Sequence, residues 1–284
     1  MKNSLINLLF FSIISGNIFY TQNLKAIIPY YFLPETKQLK KEALTIGKQA
    51  YQLLFFGQIK DSLNLAKLAV KLDNTNETLW TILAEAQIAN KLYDDGLISL
   101  NNAQRIKPKM GEIYFAKSTI YLKQSKIKKA KISLQSGIKI LPKNFNAIFQ
   151  LGNIFLMEKN FKKALEEYNK AIEIKKDFWQ AINNKGLAYF EIDKRNLSIN
   201  SFKNAISLEE NAESLLALAA CLGTEDINKA IFLAKKALIQ DPNYVDYKYR
   251  KEQLWGQKLQ NSTERLFENK QLKDEILFAK TKIN

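Results

Sequence analysis

Histidine is absent from this 284-residue chain, and cysteine occurs once, as Cys221. Without histidine there is no imidazole for acid–base chemistry and no His/Cys zinc pattern, and a single thiol cannot close an intramolecular disulfide. Cys221 lies in the apolar run 215–222, where a small buried hydrophobe is the simpler expectation and nothing nearby would activate a thiolate. Proline and glycine number only 5 and 10. With so few breakers, the chain reads as long helices joined by short turns. Arginine is scarce too: Arg105, Arg195, Arg250 and Arg265 stand against a net charge of +15 that is otherwise lysine. Nucleic-acid recognition leans on the forked guanidinium, whereas diffuse lysine marks a solvated surface. The charge therefore argues against nucleic acid as a partner.

Catalytic groupings are missing as well. Glu166-Glu167 and Glu209-Glu210 are sequence neighbours, which on a helix point about 100° apart and form surface charge rather than an acid–base pair. The expectation is a non-enzymatic chain with no catalytic residue, no metal site and no cofactor.

The first residues differ from the rest. Met1-Lys2 precedes the apolar stretch 5–14, which is broken by Ser15-Gly16-Asn17. A basic start, an apolar run and a small polar break match the plan of a secretory signal. Residues 1–26 are thus expected to be a signal peptide or an N-terminal membrane anchor. Retained, the segment is near the lower limit of about 17 residues for a membrane-spanning helix; cleavage stays open. An exported or membrane-anchored protein, on the periplasmic or thylakoid-lumen side, is expected. Residues 27–42 read as a linker and N-terminal cap, with 27–33 an apolar ribbon able to cover the first unit.

Self-comparison organises the remainder of the chain. Sliding it by 34 residues aligns Gly152 with Gly186, Tyr168 with Phe202 and Ala171 with Ala205. The same frame gives units at 43–76, 77–110, 111–144, 145–178 and 179–212, with a sixth at 213–244 shortened near Gly223-Thr224-Glu225. Three columns of this frame are small throughout. The eighth reads Ala50, Ala84, Ser118, Gly152, Gly186, Ala220; the twentieth reads Ser62, Gly96, Ala130, Ala164, Ser198, Ala230; the twenty-seventh reads Ala69, Ala103, Gly137, Ala171, Ala205, Ala237. Small residues at fixed spacing are what two closely packed helices require, because larger side chains would overpack the contact. Pro108, Pro142 and Pro242 fall where second helices must stop. Residues 245–284 carry no further unit; Tyr247, Leu254 and Trp255 read as a capping helix, and Leu266, Leu272, Ile276 and Leu277 as a weaker tail helix or frayed end.

With Trp80 and the run Phe161-Lys162-Lys163-Ala164-Leu165, these columns resemble the tetratricopeptide-repeat (TPR) superfamily over 43–244. The resemblance implies an all-α fold: antiparallel helix pairs stacked into a right-handed superhelix, with first helices lining the concave face. It further implies a scaffold that binds a protein or an extended peptide segment in that groove. On the family pattern the groove residues of the third to fifth repeats include Phe115, Thr119, Asn146, Phe149, Asn153, Gln180, Asn183 and Phe190. Amides there would pair with a peptide backbone and aromatics would form pockets. The family's clamp for the carboxyl end of cytosolic chaperones is not matched, since only Lys48 and Asn153 fall at suitable positions. The stretch 178–187, together with Leu254-Trp255-Gly256, is similar to TPR proteins of cyanobacteria and plastids, several of which assist photosystem assembly. That similarity implies an assembly role at a membrane complex. The alternative is a basic adaptor for anionic lipid or nucleic acid, built on Lys123, Lys126, Lys128, Lys129 and Lys131, which have no acid between them.

Overall fold

The computed structural model describes residues 35–283. The segments 1–26 and 27–33, expected to be export signal and cap, lie outside the described residues. Among the described residues there are fifteen α-helices and no strand. Twelve helices form six antiparallel pairs: α1 (Thr36–Phe55) with α2 (Ile59–Leu72), α3 (Glu77–Ala89) with α4 (Tyr93–Ile106), α5 (Gly111–Lys123) with α6 (Ile127–Ile140), α7 (Phe145–Met157) with α8 (Phe161–Ile174), α9 (Trp179–Glu191) with α10 (Arg195–Leu208), and α11 (Ala212–Leu222) with α12 (Ile227–Gln240). A C-terminal segment comes next, with α13 (Tyr247–Glu252), α14 (Gln257–Phe267) and α15 (Lys273–Ile283), and 3₁₀ turns at Pro242–Val245 and Lys270–Leu272.

The small columns sit where the backbones meet. A Cβ at Gly152 would lie 2.6 Å from the Tyr168 ring, and one at Gly186 2.5 Å from the Phe202 ring. Each glycine is thus the seat of the large residue on the second helix of its own pair. Where the twentieth column holds serine, its hydroxyl crosses the same gap. Ser62 Oγ donates to the Ala50 carbonyl at 2.7 Å and Ser198 Oγ to the Gly186 carbonyl at 2.9 Å. Close approach explains why only small residues occupy both columns, and in the twentieth the serine hydroxyls are satisfied across the gap.

In the first five pairs the turn between the helices has one backbone design. Gly57, Lys91, Ser125, Lys159 and Asp193 all adopt positive φ, between 57° and 75°. The next amide then reaches back into the last turn of the helix, as Leu92 N–H does to the Gln87 carbonyl at 2.8 Å and Asn160 N–H to the Phe155 carbonyl at 2.8 Å. This is the left-handed helix stop that satisfies terminal carbonyls. Only Gly57 adopts that conformation at no steric cost. Asparagine starts several first helices: Asn76, Asn144 and Asn211 accept from backbone N–H groups of their first turns.

Three details differ from the sequence expectation. The first helix begins at Thr36 rather than 43, so the presumed linker contributes seven residues of a 20-residue helix. In the sixth pair the shortening falls on α11, which has 11 residues against 13 in α9, while the connecting turn is longer. The C-terminal tail is not a frayed end. Leu266 and Leu272 are buried, Trp255 is buried in the turn before α14, and Tyr247 and Leu277 are exposed.

Candidate functional site

The first helices of successive pairs touch one another, α1 with α3, α3 with α5, α7 with α9, and α9 with α11. Among the described residues, nothing covers their shared inner face along the first four pairs, and it is closed along the last two. Closure comes from α14, which crosses α9 and α11. Its apolar face carries Leu259 and Leu266, with Gln260 and Thr263 buried beside them. The Glu191 carboxylate, at the end of α9, caps α14 by accepting from Leu259 N–H at 3.1 Å and Lys258 N–H at 3.4 Å. A Cβ on Gly256 would meet the Glu191 side chain, so a larger residue here would displace the carboxylate from its cap. Arg250, fully buried, ties the segment together: Nε donates to Gln260 Oε1 at 2.8 Å, Nη1 to the carbonyls of Tyr244 and Val245 at 2.7 and 3.0 Å, and Nη2 to Glu264.

This cover and the packing beneath it revise the predicted groove. Asn183 is fully buried; its Oδ1 accepts from Ser214 Oγ at 2.8 Å and its amide donates to Asn184 Oδ1 at 3.2 Å. Asn153 Oδ1 accepts from both Tyr168 Oη and Asn184 Nδ2, each at 2.8 Å. The two asparagines expected to hold a partner are instead links in a chain, Tyr168–Asn153–Asn184–Asn183–Ser214, that joins three consecutive pairs. Burial makes such amides costly without partners, and here the partners are internal. Phe115 is likewise turned inward, its ring lying over Gly137. Phe149 packs edge-on against Phe178, ring centroids 5.0 Å apart, and beside Tyr168 at 5.8 Å. Phe190 is partly buried near Leu266 of the cover. Thr119 is partly buried, with its hydroxyl bonded to the Phe115 carbonyl; Gln180 is partly buried and Asn146 exposed. Asn184 was missed by sequence reasoning, although the doublet Asn183-Asn184 on an otherwise apolar helix is a visible signal.

The open inner face carries other groups. Tyr51, Phe55 and Met157 are exposed large apolar residues, Phe55 at 81%. Where the open face meets the cover there is a cleft of ≈ 630 Å³, floored by Leu156, Met157, Phe161 and Leu254. Its far wall is the turn from α13 into α14.

Sequence models described as TPR repeat and as tetratricopeptide repeat match residues 152–193 and 180–211. The chain is a TPR protein. No curated protein matches it in sequence. Among solved structures it is similar to PilF of Pseudomonas aeruginosa, 13% identical over 78% of this chain and 99% of that one, TM-score 0.65. It is also similar to a MamA protein, 24% identical over 61% and 93% of the two chains, TM-score 0.53. A third is YrrB, described as a TPR protein with an unusual peptide-binding site, 19% identical over 64% and 96%, TM-score 0.51. At these identities the likeness is one of fold.

On the TPR array the basic edge is a real surface but is partly engaged. Lys123, Lys126, Lys128 and Lys129 are exposed. Lys131 is bound to Glu158 at 2.6 Å and lies over the Phe155 ring, and Lys126 Nζ donates to Gln124 at 2.8 Å. Cys221 is buried, and burial pushes its thiol up to about 12, away from reactivity.

Glu213 marks the seam between TPR array and cover. Burial pushes its carboxyl up to about 7, opposed by hydrogen bonds from Trp255, Asn183 and Tyr244; Trp255 Nε1–H lies 3.2 Å from it. Its ordinary value is 4.5, so between that pH and about 7 the folded chain holds a proton that the unfolded chain has released. The stability this contributes is complete below pH 4.5 and is lost as pH rises through about 7. Glu213→Gln should therefore match the parent near pH 4 and exceed it at pH 8 by on the order of 2 kcal/mol, allowing for partial solvent access. Thermal melts at both pH values check this. An equal gap at the two would refute it.

Proposed function

We propose that this TPR protein is a non-enzymatic scaffold that holds a partner protein by an extended segment laid along the inner face of its first four repeats. One observation carries the reading: among the described residues the chain's own α14 covers that face on the last two repeats, and nothing covers it on the first four. Exposed Tyr51, Phe55, Met157 and Asn146, with half-buried Thr119, offer apolar contact and hydrogen bonding to such a segment. The peptide-binding site named for YrrB supports this mode on a similar fold.

Site-specific photo-crosslinking tests the reading. A crosslinker at Thr119 or Asn146 should trap a partner in the native host, and one at Ile98 or Leu197, exposed on second helices, should not. Equal trapping from the second helices would overturn it. Glutamine at Lys123, Lys126, Lys128 and Lys129 should leave trapping intact; its loss would favour the basic-adaptor alternative.

Export or membrane tethering belongs to the same proposal and rests on residues 1–26 alone. No helix among the described residues is long and apolar enough to cross a membrane. Assembly of a membrane complex, photosynthetic or other, rests on short sequence stretches. N-terminal sequencing of fractionated native protein tests the location, and a cytoplasmic chain retaining Met1 would end that part of the proposal.

A further inference from the structure

We infer that the cleft closing the open groove takes an acidic segment bearing one bulky apolar side chain. The inference deepens the groove reading and rests on it. The floor, Leu156, Met157, Phe161 and Leu254, is apolar, with Met157 48% exposed. An apolar anchor seated there would remove this surface from water. A second depression of ≈ 610 Å³ adjoins the cleft and shares Lys159 and Phe161 with it. An occupant can thus continue from one into the other.

The rim decides the charge. Lys159, Lys162, Lys194 and Lys251 line the two depressions and are exposed. None of the four takes part in an ion pair among the described residues. The neighbouring carboxylates are engaged elsewhere. Glu158 holds Lys131 at 2.6 Å, Asp193 holds Lys258 at 2.5 Å, and Glu191 caps α14. A basic or neutral occupant would leave four like charges around an apolar floor; an acidic one complements them. The rim is also held in place. Lys159 stands in the left-handed turn that ends α7, and Lys251 lies on α13 beside the buried Arg250.

Fluorescence anisotropy with the full chain and short labelled peptides tests this. The probe has aspartates and glutamates around a central Phe-Leu pair; one control replaces Phe-Leu by alanines, another replaces the acids by lysines. The probe should bind at least about tenfold tighter than either control. It should weaken steeply between about 0.1 M and about 1 M salt, as the Debye length falls from about 10 Å to about 3 Å. Lys159→Glu with Lys251→Glu, and separately Lys162→Glu with Lys194→Glu, should each lose about tenfold at unchanged helicity. Lys128→Glu with Lys129→Glu should not. Equal binding of all three peptides, or loss that tracks the 128–129 pair, overturns the inference. If crosslinking from Thr119 and Asn146 persists in that case, the groove reading survives; if it fails too, both fall.

Discussion

Arg250→Ala is expected to detach the C-terminal cover before the repeat array melts. Arg250 is completely buried, and every one of its nitrogens donates: to Gln260, to the Tyr244 and Val245 carbonyls, and to Glu264. Burial alone lowers the tendency of its guanidinium to stay charged, and the Glu264 carboxylate opposes this. Removing the side chain leaves two backbone carbonyls and an amide oxygen without donors and a cavity where the guanidinium stood. Breaking a buried pair of this kind costs about 3–5 kcal/mol, with the lower end apt here because Glu264 is half exposed. The damage stays local, because a solenoid's stability is roughly a sum over neighbouring units. Limited proteolysis should therefore cut near 245–256 at a temperature where the parent resists, while most helicity persists. Arg250→Lys should not rescue it, since one ammonium cannot replace a three-sided fork. Unchanged proteolysis in both variants would show that the cover does not depend on this residue. Detachment would also bare α9 and α11, lengthening the open groove, and remove the wall of the cleft.

The repeat architecture was legible because it is written in size. Close backbone approach excludes all but small residues, and that constraint recurs every 34 positions in Gly152 and Gly186 as in Ala171 and Ala205. The helix-ending turns were not legible, because four of the five left-handed positions inside the helix pairs are Lys91, Ser125, Lys159 and Asp193 rather than glycine. There the helix pair on each side dictates the backbone and the side chain merely tolerates it. The groove was misread at Asn153 and Asn183 for a related reason. A polar side chain at a family groove position looks like a ligand, but its partners, Asn184 and Ser214, come from neighbouring positions and the next repeat. Long-range pairing of that sort leaves no periodic trace. A capping helix within 245–284 was legible, but not where it lies. Leu259, Thr263 and Leu266 mark the inner face of α14, yet only the fold shows that this face lies across α9 and α11. Glu213 is a consequence of the cover: as a first-turn residue it should favour its charged form, and only burial beneath Trp255 reverses that.

Gly186→Leu should strike the array at the point where it joins the cover. A Cβ on this residue would sit 2.5 Å from Phe202 Cε1 and 2.8 Å from two further ring atoms. Phe202 is fully buried at the centre of the fifth pair and has no free direction in which to move. Overpacking of this kind typically costs about 1–3 kcal/mol, and leucine adds a branched end beyond the clash at Cβ, so the upper part of that range is expected. The Ser198 hydroxyl, bonded to the Gly186 carbonyl at 2.9 Å, would lose its geometry if α9 and α10 moved apart. Lys203→Leu, next to Phe202 in sequence but exposed, should change stability by about 0.5 kcal/mol or less. The pairing can be tested without a gross clash: Gly186→Ala should destabilise alone, and Phe202→Leu should recover part of that loss, with a coupling of about 1 kcal/mol. Chemical denaturation of the parent, the two single variants and the double variant measures the cycle. Equal effects of Gly186→Leu and Lys203→Leu, or zero coupling, would mean that the small columns are not contacts between helices. Because α14 rests on α9, the same leucine should also loosen the cover and weaken binding at the cleft, while Thr119 and Asn146, two and one repeats away, keep their crosslinks.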